Sequence, residues 1–190
     1  MKGKNLSYQS NNLLGYFINN NQTWLNYAKA LKALPGASES AVLELLSDMT
    51  RRGLLMRVKN GLYYIIPFDQ DPVSFMPASH LLVEPLVKGN KYYIGYYSAL
   101  QIHELTTQPS SKEYIVVDHQ IKPAITKIKE VSFQFVYHNS KHFFGVKKAW
   151  IDSFHKVPCS DLEKTFIDCL FKPEYAGGIV EVGASGDELR

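Results

Sequence analysis

The sequence predicts an α+β protein in which a small, mainly helical part precedes a larger mixed α/β part. In residues 1–68, three helical patterns precede a strong hairpin signal, whereas strand-like and helical patterns alternate in residues 69–183. Residues 184–190, rich in small and acidic residues, are expected to form a flexible tail. The chain of 190 residues is 45% hydrophobic and 21% charged, which is ordinary for a soluble globular protein.

Two helices are predicted at the start of the chain. The first covers Tyr8 to Asn19, where apolar residues recur at helical spacing. Thr23 is a candidate N-cap for the second helix, and Pro35 with Gly36 ends it in a tight turn. The residues expected to share one face of this second helix are Trp24, Ala28 and Leu31.

A third helix is predicted from an N-cap at Ser38 to about Arg52, with Gly53 in the left-handed position that follows a helix end. Its apolar residues recur at i, i+3, i+4 and i+7, the spacing of a buried stripe. These residues are Val42, Leu45, Leu46 and Met49.

Two β-prone runs, 54–58 and 62–66, flank Asn60 and Gly61, and Asn-Gly between such runs is the strongest short-range hairpin signal. Three short helices followed by a hairpin is the arrangement of a winged helix-turn-helix. We therefore interpret residues 1–68 as a winged helix-turn-helix DNA-binding domain.

The charge distribution agrees with this interpretation. Residues 1–68 hold eight Lys and Arg against three acidic residues, a net charge of +5, whereas residues 69–190 carry −2. A helix of this length fits the major groove, and basic residues at its end and in the hairpin are placed to contact phosphates. The candidate DNA-binding residues are Ser38, Ser40, Glu44, Ser47, Arg51, Arg52, Arg57 and Lys59.

The second part of the chain begins with a short predicted helix near Ser79–Val87, followed by a strand over 91–97. A capping-box pattern from Ser98 to Gln101 predicts a helix that continues to about Leu105. Three further strands are predicted over 113–118, 131–137 and 143–150. In the second of these, Val131, Phe133, Phe135 and Tyr137 are expected to form the buried face.

A second capping box, from Ser160 to Glu163, predicts a helix that ends at Lys172 and Pro173. The residues expected on its apolar face are Leu162, Phe166, Cys169 and Leu170. We interpret residues 69–183 as an α/β domain with a small mixed or largely antiparallel sheet.

Residue patterns typical of catalysis are weak. The six histidines lack metal-binding spacing, and there is no glycine-rich phosphate loop, so neither a metal site nor a cofactor is expected. Cys169 is expected in the core, while Cys159, just before a helix start, is a candidate for a lowered pKa. Asp118 and His119, at a strand end, are the remaining candidates for acid–base chemistry. The expectation is therefore a protein that is not an enzyme.

The two cysteines cannot form a disulfide framework, and there is no apolar run of about 20 residues and no signal-peptide pattern. The sequence therefore predicts a cytoplasmic protein without membrane attachment.

Three stretches resemble a known family. They are Arg57–Tyr63 at the hairpin, Tyr97–Thr106, and Ser160–Leu170 followed by the Pro-Glu-Tyr-Ala-Gly-Gly of residues 173–178. Over roughly residues 10–180 the chain resembles the AbiEi family of antitoxins, also described as transcriptional regulators of viral defence systems. Within this resemblance, Lys164 and Asp168 are expected to form an exposed surface pair.

The resemblance implies a type IV toxin–antitoxin system for abortive phage infection. Such proteins repress their own operon by binding inverted repeats through the winged helix, and the C-terminal domain is needed for antitoxin action. The paired toxin is nucleotidyltransferase-like, and no stable complex with it is expected. Inverted repeats require two winged helices at a fixed spacing, so a DNA-induced dimer is also expected.

Two other functions compete with this one. In the first, the protein is an interaction module whose winged helix is scaffolding rather than a DNA reader. In the second, it is an enzyme that uses Cys159 or His119.

Overall fold

The computed structural model describes residues 7–177, with six α-helices and two β-sheets. The α+β class predicted from the sequence is confirmed. The chain divides into two compact units, Met1–Met76 and Pro77–Arg190, here called the N-terminal and C-terminal units. The predicted tail, residues 184–190, lies outside the described residues.

The N-terminal unit begins with helix α1, Tyr8–Asn19, which has the bounds predicted from its apolar spacing. Ser7 caps it, and the hydroxyl of Ser7 accepts the backbone N–H of Ser10 at 3.3 Å. Leu13, Leu14 and Phe17 are buried in the core of the unit.

The prediction of the second helix was wrong for its first turn. Trp24–Asn26 is a strand, β1, because its residues pair antiparallel with Leu62–Tyr64 further along the chain. Helix α2 is Tyr27–Ala33, and its N-cap is Asn26, whose side chain accepts the N–H of Lys29 at 2.8 Å, not Thr23. Of the predicted face, Ala28 is exposed, and Ala30 is the buried residue instead.

Helix α3, Glu39–Arg51, confirms the third predicted helix, including its cap at Ser38. All four residues of the predicted stripe are buried. Gly53 has a φ of +73°, and a Cβ there would lie 2.5 Å from Cγ of Pro72, so both the backbone conformation and the available space favour glycine.

The predicted hairpin is present as strands β2, Leu55–Lys59, and β3, Leu62–Ile65, with Gly61 at a φ of +71° in the turn. Strand β3 lies between β1 and β2, and both pairings are antiparallel. The register of the β2–β3 pairing shifts between Arg57 and Lys59, next to the turn.

The C-terminal unit contains a mixed sheet of six strands in the order β6-β7-β5-β4-β9-β8. Neighbours β5–β7 and β4–β9 are parallel, and the other three pairs are antiparallel. The strands are β4 Tyr92–Ile94, β5 Lys112–Val117, β6 Ile125–Ile128, β7 Val131–Tyr137, β8 Val146–Trp150 and β9 Lys156–Ser160. The helices are α4 Val83–Val87, which continues a 3-10 turn over Ser79–Leu82, α5 Tyr96–Ile102 and α6 Leu162–Phe171.

The first capping-box prediction was wrong. Helix α5 begins at Tyr96 after an N-cap at Gly95, three residues earlier than predicted, and ends at Ile102 rather than near Leu105. Ser98 is completely buried within the helix, where its hydroxyl accepts the N–H of Tyr114 at 2.9 Å. The hydroxyl thus joins α5 to β5 instead of capping a helix.

The second capping-box prediction was one residue out of place. Asp161 caps α6 by accepting the N–H of Lys164 at 3.0 Å. Ser160 is the last residue of β9, and its hydroxyl lies 2.7 Å from that of Thr165. Strand β8 begins three residues later than predicted, and strands β6 and β9 were not predicted.

The predicted buried face of β7 was partly wrong. Phe133 and Phe135 are buried, but Tyr137 is 47% exposed and Val136, on the opposite face, is buried. Both faces of this strand therefore carry buried residues, so the alternation expected for a sheet with one solvated face is incomplete.

The predicted surface pair on α6 was also wrong, because Lys164 and Asp168 each have only 2% of their side chain exposed. The ammonium of Lys164 donates to Oδ1 of Asp168 at 2.5 Å, and the hydroxyl of Tyr93 donates to Oδ2 at 2.8 Å. Conversely Leu170, predicted on the apolar face, is 67% exposed.

Candidate nucleic-acid interface

Four of the candidate residues form one exposed stripe along α3, which we call the outer face. They are Ser40, Glu44, Ser47 and Arg51. The stripe points to solvent because the apolar residues on the opposite side of the helix are buried in the core. This face therefore presents two hydroxyls, one carboxylate and one guanidinium.

Ser38 is exposed at the start of α3, but its hydroxyl has a structural role. It accepts the N–H of Ala41 at 3.3 Å and lies 3.1 Å from the hydroxyl of Ser40. Satisfying a free N–H of the first helical turn stabilises the helix start. Ser38 thus positions the outer face.

Arg51 has 81% of its side chain exposed and donates to Oδ1 of Asp48 at 2.7 Å. This hydrogen bond lowers the pKa of Asp48 from its usual value, and the positive charge of Arg52 adds to the effect. An exposed pair of this kind is weak and is screened by salt, so Arg51 can exchange Asp48 for another anion.

Arg52 was predicted to join a surface cluster, but only 25% of its side chain is exposed. Its Nε lies 2.8 Å from Oδ2 of Asp48, and its Nη2 donates to the hydroxyl of Ser10 at 2.5 Å. Because Ser10 is on α1, this hydrogen bond links the C-terminal end of α3 to α1, and Arg52 is therefore less available to an external partner than Arg51.

The hairpin supplies the other two basic candidates. Arg57, on β2, is exposed and donates from Nη2 to the side-chain oxygen of Asn60 at 2.6 Å. Lys59, the last residue of β2, is half-buried. The contact with Asn60 orients the guanidinium of Arg57 toward the tip of the hairpin.

Two exposed residues of the region were not singled out from the sequence. Leu43 on α3 is 54% exposed next to Glu44, and Lys32 is exposed in the last turn of α2. Helical spacing places Leu43 outside the buried stripe, so its exposure could have been predicted from the sequence. The outer face consequently carries an apolar group beside its polar ones.

The catalytic candidates considered from the sequence all lie in the C-terminal unit. Burial raises the pKa of Cys159 to about 12, opposite to the lowered value considered from the sequence. Cys169 is completely buried, as predicted, and its pKa is likewise raised to about 12 by burial. His119 contacts Asp118 at 3.1 Å. Within residues 7–177, no group of three or more His, Cys, Asp or Glu side chains is arranged to hold a metal ion.

Among the helices of the described residues, none combines the length and apolar character required to cross a membrane. In comparisons with known proteins, neither a family model nor a curated protein sequence matches this chain.

Proposed function

We propose that the N-terminal unit is a winged helix-turn-helix that binds double-stranded DNA. The chain is then a transcriptional autorepressor and the antitoxin of a type IV toxin–antitoxin system, as its resemblance to the AbiEi family implies. One observation carries the proposal: α3 follows α2 through a short turn, presents an exposed and mainly polar outer face, and is followed in the chain by an arginine-bearing hairpin.

The element order supports this assignment. The helices α1, α2 and α3 precede the hairpin of β2 and β3, and β1 completes a three-stranded sheet with it. In helix-turn-helix proteins the second helix of the motif lies in the major groove, which corresponds to α3 in this chain. The hairpin corresponds to the wing.

We assign a role to each group of the outer face and to Arg57 of the hairpin. Arg51 and Arg57 contact phosphates and set the register, whereas Ser40, Glu44 and Ser47 reach base edges. A carboxylate in the major groove accepts from the amino group of cytosine, so Glu44 favours cytosine. The exposed side chain of Leu43 favours the methyl group of thymine.

The proposal extends to the DNA target, the paired toxin and the cellular location. The DNA target is an inverted repeat upstream of the protein's own operon, and two copies occupy it as a DNA-induced dimer. The paired toxin is nucleotidyltransferase-like and is countered without a stable complex. The proposed location is the cytoplasm, where operon and toxin meet, with no cofactor and no enzymatic activity of the antitoxin itself.

The test is binding of the purified chain to its own upstream DNA and to scrambled DNA, by fluorescence anisotropy across a salt titration. We expect tighter binding to the native fragment. The double variant Arg51→Ala/Arg57→Ala should weaken binding to both and reduce the log–log salt slope by about 2, since each lost phosphate contact removes about 0.9.

Lys148→Ala, an exposed lysine on β8, is the matched control for loss of positive charge. Arg52 is left intact because its removal would also disturb the packing of α1 on α3. Equal binding to native and scrambled DNA would contradict a sequence-specific repressor. An unchanged salt slope in the double variant would exclude Arg51 and Arg57 from the phosphate contacts.

A separate observation favours the interaction module as the second candidate function. Helix α6 exposes Ile167, Leu170 and Phe171, with between 51% and 69% of each residue accessible. Three adjacent large apolar side chains on one helix face are typical of a protein-binding surface. Co-expression with the product of the neighbouring gene, followed by size-exclusion chromatography, tests it. A stoichiometric complex would favour this function under two conditions. The double variant Leu170→Ser/Phe171→Ser should abolish the complex, and the double variant Arg51→Ala/Arg57→Ala should leave it intact.

A further inference from the structure

A cavity of about 350 Å³ lies in the C-terminal unit, beside the 3-10 turn Ser79–Leu82 and the end of α5. Its volume falls in the range of small-molecule sites, which begins at roughly 300 Å³. Its lining contains polar side chains from three separate segments of the unit. None of the candidate DNA-binding residues takes part in it.

A buried carboxylate fixes the orientation of a histidine at this cavity. Glu113 is only 3% exposed, and its Oε1 lies 2.8 Å from Nδ1 of His80, while its Oε2 accepts the hydroxyl of Ser79 at 2.6 Å. With Glu113 ionised, its carboxylate only accepts hydrogen bonds, so this contact requires the proton on Nδ1 of His80. In the neutral ring, Nε2 therefore offers a lone pair, and none of the described residues donates to it.

A second acceptor is Glu104, an exposed residue that follows the end of α5. Its carboxylate has no hydrogen bond or ion pair with the described residues. Its φ is +59°, a conformation that glycine adopts at much lower cost. The backbone turn alone therefore does not account for a glutamate at this position.

The remaining wall suits a cation. The lining includes no lysine or arginine, and the indole of Trp150 forms part of it. Trp150 already holds the ammonium of Lys156 at 4.1 Å from its ring centroid and is still 60% exposed. Two carboxylates, an oriented imidazole and an indole together favour a positively charged, hydrogen-bond-donating group.

Among positively charged ligands, an organic cation fits better than a metal ion. The described residues contain no group of three or more metal-ligating side chains, and the cavity is far larger than one ion requires. We propose that this cavity binds a small primary amine, whose ammonium donates to Nε2 of His80 and to the carboxylate of Glu104. The carbon chain of the amine lies against Trp150.

The experiment is isothermal titration calorimetry of the full-length protein with n-butylamine, in phosphate buffer without other amines and without DNA. n-Butanol, which has the same chain length but no charge, is the comparison ligand. We expect saturable, millimolar binding of the amine and binding of the alcohol weaker by roughly tenfold or more. Equal heats for the two ligands, or no saturation with the amine, would overturn the proposal.

Two substitutions of Glu104 separate binding from folding. Glu104→Gln removes the charge at nearly constant shape, and Glu104→Gly also relieves the left-handed backbone. Both should lower the affinity for butylamine by roughly tenfold, while Glu104→Gly unfolds at the same or a higher temperature than the parent chain. Glu163→Gln, an exposed glutamate on α6, is the matched control and should bind butylamine normally. Undiminished binding in Glu104→Gln would refute the assigned contact.

Discussion

Helices α3 and α6 each carry an acid and a base one turn apart, yet they use these pairs in opposite ways. On α3, Asp48 pairs with Arg51, whose side chain is 81% exposed. On α6, Lys164 and Asp168 pair with 2% exposure each, and Tyr93 completes the contacts of the carboxylate. Spacings of three and four residues, both about one helical turn, thus yield a surface pair open to exchange and a buried pair that is part of the fold.

The two pairs differ in function because they differ in burial. A surface pair is weakened by water and salt, so it leaves Arg51 available to an external anion. A buried pair has lost its hydration, and each charge depends on the other. The buried pair is therefore expected to dominate folding stability, and the exposed one to matter for binding.

The largest expected effect comes from breaking the buried pair. Lys164→Met leaves Asp168 charged and buried, and it should lower the free energy of unfolding by about 3–5 kcal/mol. Urea denaturation followed by circular dichroism measures this loss. The double variant Lys164→Met/Asp168→Leu removes both charges and should recover much of the stability. A single variant as stable as the parent chain would show that the pair is not buried in solution.

The next effect concerns pH and His138, which is buried in the C-terminal unit with its Nε2 2.7 Å from the hydroxyl of Tyr96. Burial lowers the pKa of His138 from 6.5 to about 4. Between these two pH values the unfolded chain binds a proton that the folded chain does not. The folded state should therefore lose stability as pH falls from 6.5 toward 4.

Urea midpoints at pH 7.5, 6 and 5 test this expectation. His138→Gln keeps a hydrogen-bond acceptor for Tyr96 but cannot titrate, so its midpoint should fall less over this range. His119→Gln, a more exposed histidine, is the control and should behave like the parent chain. A parent midpoint that does not change between pH 7.5 and 5 would contradict the burial of His138.

A smaller effect is expected at Arg52, which lies between the two extremes with 25% of its side chain exposed. Arg52→Ala removes its hydrogen bond to Ser10 on α1 and should lower the free energy of unfolding by about 1 kcal/mol. Urea denaturation measures the change. Ser10→Ala should reproduce part of this loss of stability. Introduced into the Arg52→Ala variant, Ser10→Ala should destabilise the protein less than it does in the parent chain. Strict additivity would mean that the two side chains do not interact.

The smallest effect on stability is expected at Arg51. Arg51→Ala should leave the urea midpoint at pH 7 essentially unchanged, because its pair with Asp48 is exposed to water. The pKa of Asp48 is lowered in the folded chain, so the small contribution of the pair is present at neutral pH and is lost as pH falls through that pKa. A large drop in midpoint at pH 7 would place Arg51 in the fold and weaken its assignment to DNA.

Local patterns predicted the N-terminal unit well. The stripe of α3, its cap at Ser38 and the Asn-Gly hairpin all depend on residues close in sequence, and all are present. The misplaced start of α2 has a non-local cause. Trp24–Asn26 is a strand because it pairs with Leu62–Tyr64, which follows α3 in the sequence.

The C-terminal unit was harder to predict for the same reason. Ser98 has the sequence pattern of a helix cap, but its partner is the N–H of Tyr114 on a strand 16 residues away. The pair of Lys164 and Asp168 has the spacing of a surface pair, and only the packing of α6 buries it. For the candidate interface, helical spacing correctly predicted that the outer face is exposed, whereas the contact of Arg52 with Ser10 depends on how α1 packs.

The outermost strands of the large sheet, β6 and β8, both carry lysines, Lys127 on the first and Lys147 and Lys148 on the second. If β8 paired with its counterpart in another copy around a centre at Lys148, the two Lys148 side chains would lie opposite each other and repel. Salt screens the repulsion between these lysines. Aggregation through this edge should therefore appear first in concentrated stocks at high salt. Storage of the purified protein in low salt is the practical consequence.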